Sequence, residues 1–304
     1  MVKTNSRWTA TYLGSAALEF WRCQIVGIAS PVRADIRWRN TLVPVHPCRT
    51  TLGHRTRKMR RHYSRAPIAE AVIDFRVESP PDAAINAFDP LVASLSDRFP
   101  NRSAIRAVHL GVLAIPENAP QFQTGHQDVG VRLDSVAKDR VLQLQLAGFT
   151  YSHLPQYTDW PTFREEAREL WNRYLTATDA RFVTRAAVRV INRLLLPGPT
   201  VDPSMYSNLG IREPDIFGLS PQSFIAQLHT SAHERVEGGQ VIINFGLTPA
   251  SDQQFELLLD FDVFVEGQRA SNSSDLWSLL DKLSDIKDDI FESCITDETR
   301  RLIE

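Results

Sequence analysis

The amino-acid sequence predicts an α+β protein, with a large curved antiparallel sheet packed against about three helices. Segments of alternating apolar and polar residues, typical of half-buried strands, recur after residue 66, and three other segments have apolar residues at helical spacing. The order strand, polar loop, Trp and helix occurs twice, around Trp160 and around Trp277. This order indicates two similar halves, 59–180 and 181–304, whose helices lie against one sheet.

The strands are predicted from period-two alternation and from turn residues at their ends. In residues 66–79, for example, Ala71, Ile73 and Phe75 alternate with Val72, Asp74 and Arg76. The predicted strands cover 66–79, 104–115, 128–133, 141–151, 180–197, 223–230, 240–247 and 255–266. Gly238 and Gly239 fit the turn of a hairpin between the strands 223–230 and 240–247.

Three helices are predicted from apolar stripes and from capping residues. The first lies within 82–99, where Pro90 either begins the helix or kinks it. The second begins at Asp159 or Thr158, with Pro161 in its first turn, and the third follows Ser273. A further short turn can be capped by Thr296.

Charge is distributed very unevenly along the 304 residues. Residues 1–62 hold 12 Lys and Arg but two acids, which leaves 22 basic and 34 acidic residues in 63–304, a formal charge of about −12. We interpret 1–58 as upstream sequence that is not part of the protein, with Met59 as the true start, so that the annotated start is wrong. The alternatives are a disordered basic extension and a genuine domain. Residues 59–304 are then a single α+β domain.

The composition of residues 59–304 is typical of a cytoplasmic protein. They contain one cysteine, Cys294, so no disulfide can form within them, and this favours a reducing compartment. No apolar run reaches the roughly 18 residues of a membrane span, so no membrane association is expected. The acidic balance disfavours nucleic acid as a partner of this domain.

Three arginines stand out in the β-branched stretch 180–197. Arg185, Arg189 and Arg193 recur every four residues, so they share one face on a strand, together with Val183, Ala187 and Ile191, and also on a helix. Such a row is suited to binding a phosphate or carboxylate group. The alternative is a structural row, either solvated or paired with the carboxylates of this acidic domain.

Asp260, Asp262 and Glu266 also share a strand face and provide an alternative site, for Mg²⁺ or Mn²⁺. A metal-dependent hydrolase of nucleic acid or nucleotides could use them, but a Glu-x-Lys element beside them is missing, and a solvated acidic face is the other interpretation. His229 and His233 are four apart without a third ligand, so no metal site is expected there.

Motifs of known catalytic or cofactor sites are missing from the sequence. It contains no G-x-S-x-G elbow, no glycine-rich phosphate loop, and no histidine near Cys294 in the chain. We therefore expect no cofactor, and a protein that binds rather than catalyses.

Three segments stand out by their order along the chain: RAPIAEAVIDFRV at 65–77, TRAAVRVIN at 184–192, and an end with Trp277, Phe291 and ITDETRRLI. In this order they resemble a sporadically distributed family of uncharacterised bacterial and archaeal proteins. The resemblance covers about residues 63–303 and implies that Glu70, Arg185, Arg189 and Asn192 match recurrent polar positions of the family. It also supports Met59 as the start, but it implies no activity, substrate or cofactor.

The resulting hypothesis is a cytoplasmic binding protein. It engages an anionic ligand or a protein partner through an arginine-lined sheet face, with Glu70, Arg185, Arg189, Asn192 and Arg193 as the candidate residues. The alternative hypothesis is the metal-dependent hydrolase with Asp260, Asp262 and Glu266.

Overall fold

The computed structural model describes residues 8–11, 61–79, 83–113, 121–155, 157–198, 200–209, 223–251 and 253–304. The proposed start at Met59 and nearly all of 1–58 therefore lie outside the described residues, as does much of the segment 198–221. The chain forms two compact units, one of Met1–Arg61 with Ala107–Gln127 and a larger one of His62–Arg106 with Asp128–Glu304.

The described residues form ten strands and four helices. The strands are β1 Trp8–Thr11, β2 Ile68–Val77, β3 Asn101–Leu113, β4 Gln121–Asp134, β5 Arg140–Gln145, β6 Gly148–His153, β7 Phe182–Pro197, β8 Phe224–Ser231, β9 Gly239–Ser251 and β10 Gln254–Ala270. The helices are α1 Asp89–Ser94, α2 Trp160–Thr178, α3 Ser274–Cys294 and α4 Asp297–Ile303, and short 3₁₀ turns cover Ile85–Phe88 and Pro203–Met205.

The smaller unit contains β1, which pairs antiparallel with residues 107–110 of β3. In the larger unit the strands follow the order β4-β5-β6-β2-β7-β10-β9-β8, and every pair in this series is antiparallel. The prediction of an α+β fold with a large antiparallel sheet is thus confirmed. Among the described helices, none is both long and apolar enough to cross a membrane.

One face of this sheet, which we call the helix face, forms the core with α2 and α3. Phe75 of β2 lies 4.5 Å from the Trp171 ring of α2 and 5.9 Å from the Trp277 ring of α3, measured between ring centroids. Phe261 of β10 meets Phe291 of α3 in the same way. Aromatic edge and tilted contacts of this kind add to the free energy gained by burial.

The helices begin where their capping residues predict. The Asp159 side chain accepts a hydrogen bond from the backbone N–H of Thr162 at the start of α2, and the Ser273 side chain accepts one from Asp275 at the start of α3. Thr296 caps α4 in the same way. These side chains satisfy N–H groups that have no partner inside the helix. Pro90 lies in the first turn of α1, so the first helix begins there rather than being kinked.

Several details differ from the predictions. The single strand predicted over 141–151 is wrong, because β5 and β6 are separate strands joined by a turn at Leu146 and Ala147. The described helices number four, because the short turn predicted after Thr296 is a separate helix, α4, and the first predicted helix is only the six residues of α1. The duplication of two halves stays a prediction, because the segment before Trp160 is divided into β5 and β6 by a turn, whereas the segment before Trp277 lies within the one strand β10.

A β-bulge near the start of β7 changes which residues share a face. Arg185 lies opposite Arg76 of β2, but Val183, two residues earlier, lies opposite the adjacent Val77. The extra residue, Thr184, shifts the alternation by one position. Val183 is consequently fully buried in the core, and its predicted place beside the arginines is wrong.

Candidate functional site

The second face of the sheet, which we call the polar face, carries charged and amide side chains. The β-ladder registers place Arg185, Arg189 and Arg193 of β7 on this face together with residues of the neighbouring strands. The neighbours that matter below are Asp74 of β2, Glu256, Asp260 and Asp262 of β10, Asn244 of β9, and Gln227 and His229 of β8. With Thr150 of β6, these side chains form two hydrogen-bonded networks that together cross six adjacent strands, and Arg193 and Glu256 form a separate ion pair.

Arg185 joins three neighbouring strands. Its Nη1 donates a hydrogen bond to Asp74 Oδ1 at 2.9 Å and its Nη2 donates to Asp262 Oδ2 at 2.7 Å. Its guanidinium carbon lies 4.2 Å from the centre of the Phe264 ring, a cation–π contact. Thr150 of β6 donates to the other oxygen of Asp74. Arg185 is 7% exposed, so its charge is balanced by the carboxylates of Asp74 and Asp262 rather than by water.

Arg189 forms a two-point ion pair with Asp260. Its Nε donates to Asp260 Oδ1 at 2.7 Å and its Nη2 donates to Oδ2 at 2.6 Å. Asp260 is 3% exposed, whereas the Arg189 side chain is 30% exposed. Burial acts to lower the pKa of Arg189, but the bond to Asp260 and the nearby charges of Asp260, Asp262 and Glu70 raise that pKa above its ordinary value.

Arg193 repeats this arrangement nearer to solvent. Its Nε donates to Glu256 Oε1 at 2.9 Å, and its Nη2 lies 2.8 Å from the same oxygen. The Arg193 side chain is 43% exposed and that of Glu256 is 21% exposed. The three arginines therefore all lie against carboxylates of the same sheet, the structural alternative that the acidic composition had left open.

Asp262 is only partly satisfied. Its Oδ2 accepts the bond from Arg185, but Oδ1 is buried and has no hydrogen-bond partner among the described residues. Burial raises the pKa of the Asp262 carboxyl, and the charges of Arg185 and Arg189 only partly oppose this. A buried carboxylate oxygen without a donor is costly to the folded state.

The other candidate residues have different surroundings. Glu70 is buried on the polar face, where its register partner is Ile191. Asn192 lies on the helix face, and its amide donates to the backbone oxygen of Leu259 on β10, at 3.0 Å. Glu266 is exposed at the Arg185 end of β10. The structure thus brings Arg185 and Arg189 together with Asp260 and Asp262, and separates Asn192 from them.

Asp260 and Asp262, two of the three acids of the alternative metal site, are hydrogen-bonded to arginines. Both oxygens of Asp260 accept from Arg189, and one of these also accepts from Asn244. Within the described part of the chain, no group of three or more His, Cys, Asp or Glu is placed to hold a metal ion. The geometry gives the hydrolase hypothesis no support.

Sequence reasoning missed Asp74, Asn244 and Gln227 as members of these networks, and Glu256 as the partner of Arg193. The turn between β8 and β9 allowed the pairing of two of these residues, Gln227 and Asn244, to be predicted. In β8 and β9, Ser231 pairs with Gln240, so counting back along both strands brings Gln227 opposite Asn244. The partners of the arginines could not be found in this way, because β7 and β10 are not joined by a short turn.

Comparisons with known proteins add nothing to this geometry. No protein-family model, no curated protein and no solved structure matches the chain. The function has to be inferred from the site alone.

Proposed function

We propose that the chain is a binding protein whose polar face holds a carboxylate or phosphate group of a ligand or protein partner at Arg189 and Arg193. The observation that carries the proposal is the combination of hydrogen bonding and exposure at Arg189. Two of its nitrogens are fixed by Asp260, its side chain is 30% exposed, and Nη1 has no partner among the described residues. A guanidinium that is already oriented loses little conformational freedom when its remaining nitrogen binds an acceptor.

Arg193 offers a second such donor. Its Nε and Nη2 face Glu256, and its Nη1 likewise has no partner within the described residues. The two arginines are four residues apart on β7, a distance of roughly 13 Å along an extended strand. Two oriented donors at this separation favour an extended ligand with several acceptors, such as an acidic peptide segment, over a single small anion.

The carboxylates change the way in which such a ligand is attracted. Because each arginine is paired, the polar face has little net positive charge, and residues 63–304 carry about −12. Long-range attraction of an anion is therefore weak, and recognition depends on short hydrogen bonds. This argues against nucleic acid and predicts binding that changes little with ionic strength.

The test is a titration of protein labelled with ¹⁵N-arginine, observed through the guanidinium resonances, using inorganic phosphate and a tetra-glutamate peptide as probes. We expect the Arg189 and Arg193 signals to shift saturably, with tighter binding of the peptide. Arg193→Gln should weaken peptide binding by roughly tenfold, the value of one charge-assisted hydrogen bond.

Arg181→Gln is the matched control, because Arg181 is 78% exposed, is paired with Asp179 and precedes the same strand. It should leave the affinity unchanged. If both probes shift all exposed arginines alike, or if Arg193→Gln and Arg181→Gln have equal effects, the proposal is overturned.

Three broader interpretations belong with this proposal. We propose that the protein works in the cytoplasm, supported by a single cysteine after Met59. We also propose membership of the sporadically distributed family, supported by the segments at 65–77 and 184–192, and descent of the halves 59–180 and 181–304 from one duplicated unit, supported by their shared order of strand, Trp and helix.

A further inference from the structure

A chain of hydrogen bonds runs from the Arg189–Asp260 pair to a histidine on the last strand of the sheet. Asn244 Nδ2 donates to Asp260 Oδ2 at 2.9 Å, and Gln227 Nε2 donates to Asn244 Oδ1 at 2.6 Å. His229 Nε2 then lies 2.9 Å from Gln227 Oε1. We call this series the amide relay.

The direction of the amide relay is fixed from its buried end. Asp260 receives two bonds from Arg189 and can only accept, so Asn244 must turn its NH₂ group toward it. The Asn244 oxygen then faces Gln227, which must donate and so presents its own oxygen to His229. In its neutral form His229 consequently carries its proton on Nε2, and its Nδ1 is then an acceptor.

His233 is held in the same tautomer by a different contact. Its Nδ1 lies 3.0 Å from the backbone nitrogen of Gly238, which can only donate. The Nδ1 lone pair is therefore used, and the ring proton of the neutral imidazole is on Nε2. His233 presents an N–H donor where His229 presents an acceptor.

Both histidines line an open groove of about 410 Å³ at the β8–β9 hairpin. When the two histidines are neutral, every lining residue is uncharged. The lining residues are His229, Thr230, Ser231, His233, Gly238, Gly239 and Gln240. The nitrogen that remains available is an acceptor, Nδ1, in His229 and a donor, Nε2–H, in His233. The groove also contains two hydroxyl groups and one side-chain amide. No acid, lysine or arginine is among the lining residues, so a charged ligand has no counter-charge there.

We propose that this groove is a second binding site, for an uncharged ligand that carries an N–H donor beside a carbonyl acceptor, as in a carboxamide or lactam. The ligand N–H is donated to His229 Nδ1, and the ligand carbonyl accepts from His233 Nε2. A metal ion is disfavoured, because binding through His233 Nε2 requires the other tautomer and the loss of the Gly238 contact. This site goes beyond the function proposed for Arg189 and Arg193.

The experiment uses the full chain labelled with ¹⁵N-histidine and uracil as the lactam probe. The spectrum of the unliganded protein reads the tautomers directly, and we expect Nε2–H for both His229 and His233. Added uracil should shift His229 Nδ1 and His233 Nε2 saturably. The matched probe 1,3-dimethyluracil lacks both N–H groups and should shift neither.

Two variants separate the groove from nonspecific effects. Gln227→Ala cuts the amide relay and should weaken uracil binding about fivefold, since one hydrogen bond contributes on the order of 1 kcal/mol. It should also give a mixture of His229 tautomers. His126→Ala is the control, since His126 is exposed on β4 and is not among the groove-lining residues.

An Nδ1–H tautomer of His229 would overturn the inference, as would equal responses to uracil and 1,3-dimethyluracil, or no saturable response to either. The arginine signals that test the proposed function are separate resonances. Failure at the groove therefore leaves the proposal for Arg189 and Arg193 standing, and the reverse also holds.

Discussion

Arg189 and Asp260 are 71 positions apart in the chain, yet they are joined by two hydrogen bonds of 2.7 and 2.6 Å. They lie on the adjacent strands β7 and β10, and the pair anchors both the arginine row and the amide relay. A buried ion pair contributes less to net stability than it costs when one partner is removed, because the charge left behind has lost its hydration. This asymmetry gives the first prediction.

Arg189→Met leaves Asp260 buried without its partner and should lower the free energy of unfolding by about 3 kcal/mol, measured by urea denaturation. The double variant Arg189→Met with Asp260→Leu should recover most of this loss, since it removes the buried charge as well. The control is Arg181→Met, which breaks the exposed pair with Asp179 and should cost between about 0 and 1 kcal/mol. Equal losses in the two single variants would contradict the interpretation.

A second prediction concerns the pH dependence of stability at Asp262. Burial raises its pKa in the folded state above the ordinary value of 3.8, so between these two values the folded chain binds more protons than the unfolded chain. The contribution of Asp262 to stability therefore decreases as the pH rises through this window. Asp262→Asn lacks this decrease, so its free energy of unfolding relative to that of the parent should improve as the pH rises above 3.8.

Glu166 provides a control of opposite sign. Burial acts to raise its pKa, but hydrogen bonds from Arg140 at 2.9 Å and from Tyr151 at 2.6 Å outweigh this and lower it. Its contribution to stability is present above the unfolded pKa and is lost as the pH falls through the folded pKa. Glu166→Gln should therefore lose stability relative to the parent as the pH rises. If the stabilities of Asp262→Asn and Glu166→Gln, each relative to the parent, changed with pH in the same direction, a raised pKa for Asp262 and a lowered pKa for Glu166 could not both be correct.

A third prediction tests the tight turn beside the groove. A Cβ atom added at Gly239 would lie 2.8 Å from the backbone oxygen of Val236 and 3.0 Å from that of Ala232. Gly239→Ala should therefore cost about 2 kcal/mol, as expected of forced overlap in a packed region, and should weaken uracil binding at the hairpin.

Gly125→Ala is the matched substitution, because a Cβ atom there meets nothing within 4 Å. It should change the unfolding free energy by less than about 0.5 kcal/mol. Thermal and urea unfolding of the two variants give the comparison. A neutral Gly239→Ala would show that the hairpin can shift its backbone to make room.

Periodicity and capping predict the local structure well in this chain. Asp159, Ser273 and Thr296 start helices as expected, and the arginine spacing of four keeps Arg185, Arg189 and Arg193 on one face. These features depend on residues within a few positions of one another. The separation of β5 from β6 depends on a turn at Leu146 and Ala147, where the sequence only continues an apolar alternation.

The partners of the arginines could not be predicted in the same way. Alternation fixes which face a side chain occupies but not which residue of a distant strand lies beside it. Arg185 and Asp262 are 77 positions apart, and their contact depends on the register of β7 against β10. The sequence therefore predicted a row of arginines and a row of acids, and only the strand pairing joins them.

The β-bulge at Thr184 reverses the alternation of inward and outward side chains along β7. Before Thr184 the odd-numbered positions of β7 point into the core, and after it the even-numbered positions do. The strand can therefore begin with the buried Val183 and continue with Arg185, Arg189 and Arg193 on the polar face, although all four have odd numbers. If Thr184 took a regular place in the β-ladder instead of bulging, Val183 would fall on the polar face beside Arg185. The chain would then have to choose between burying Val183 and keeping Arg185 between Asp74 and Asp262.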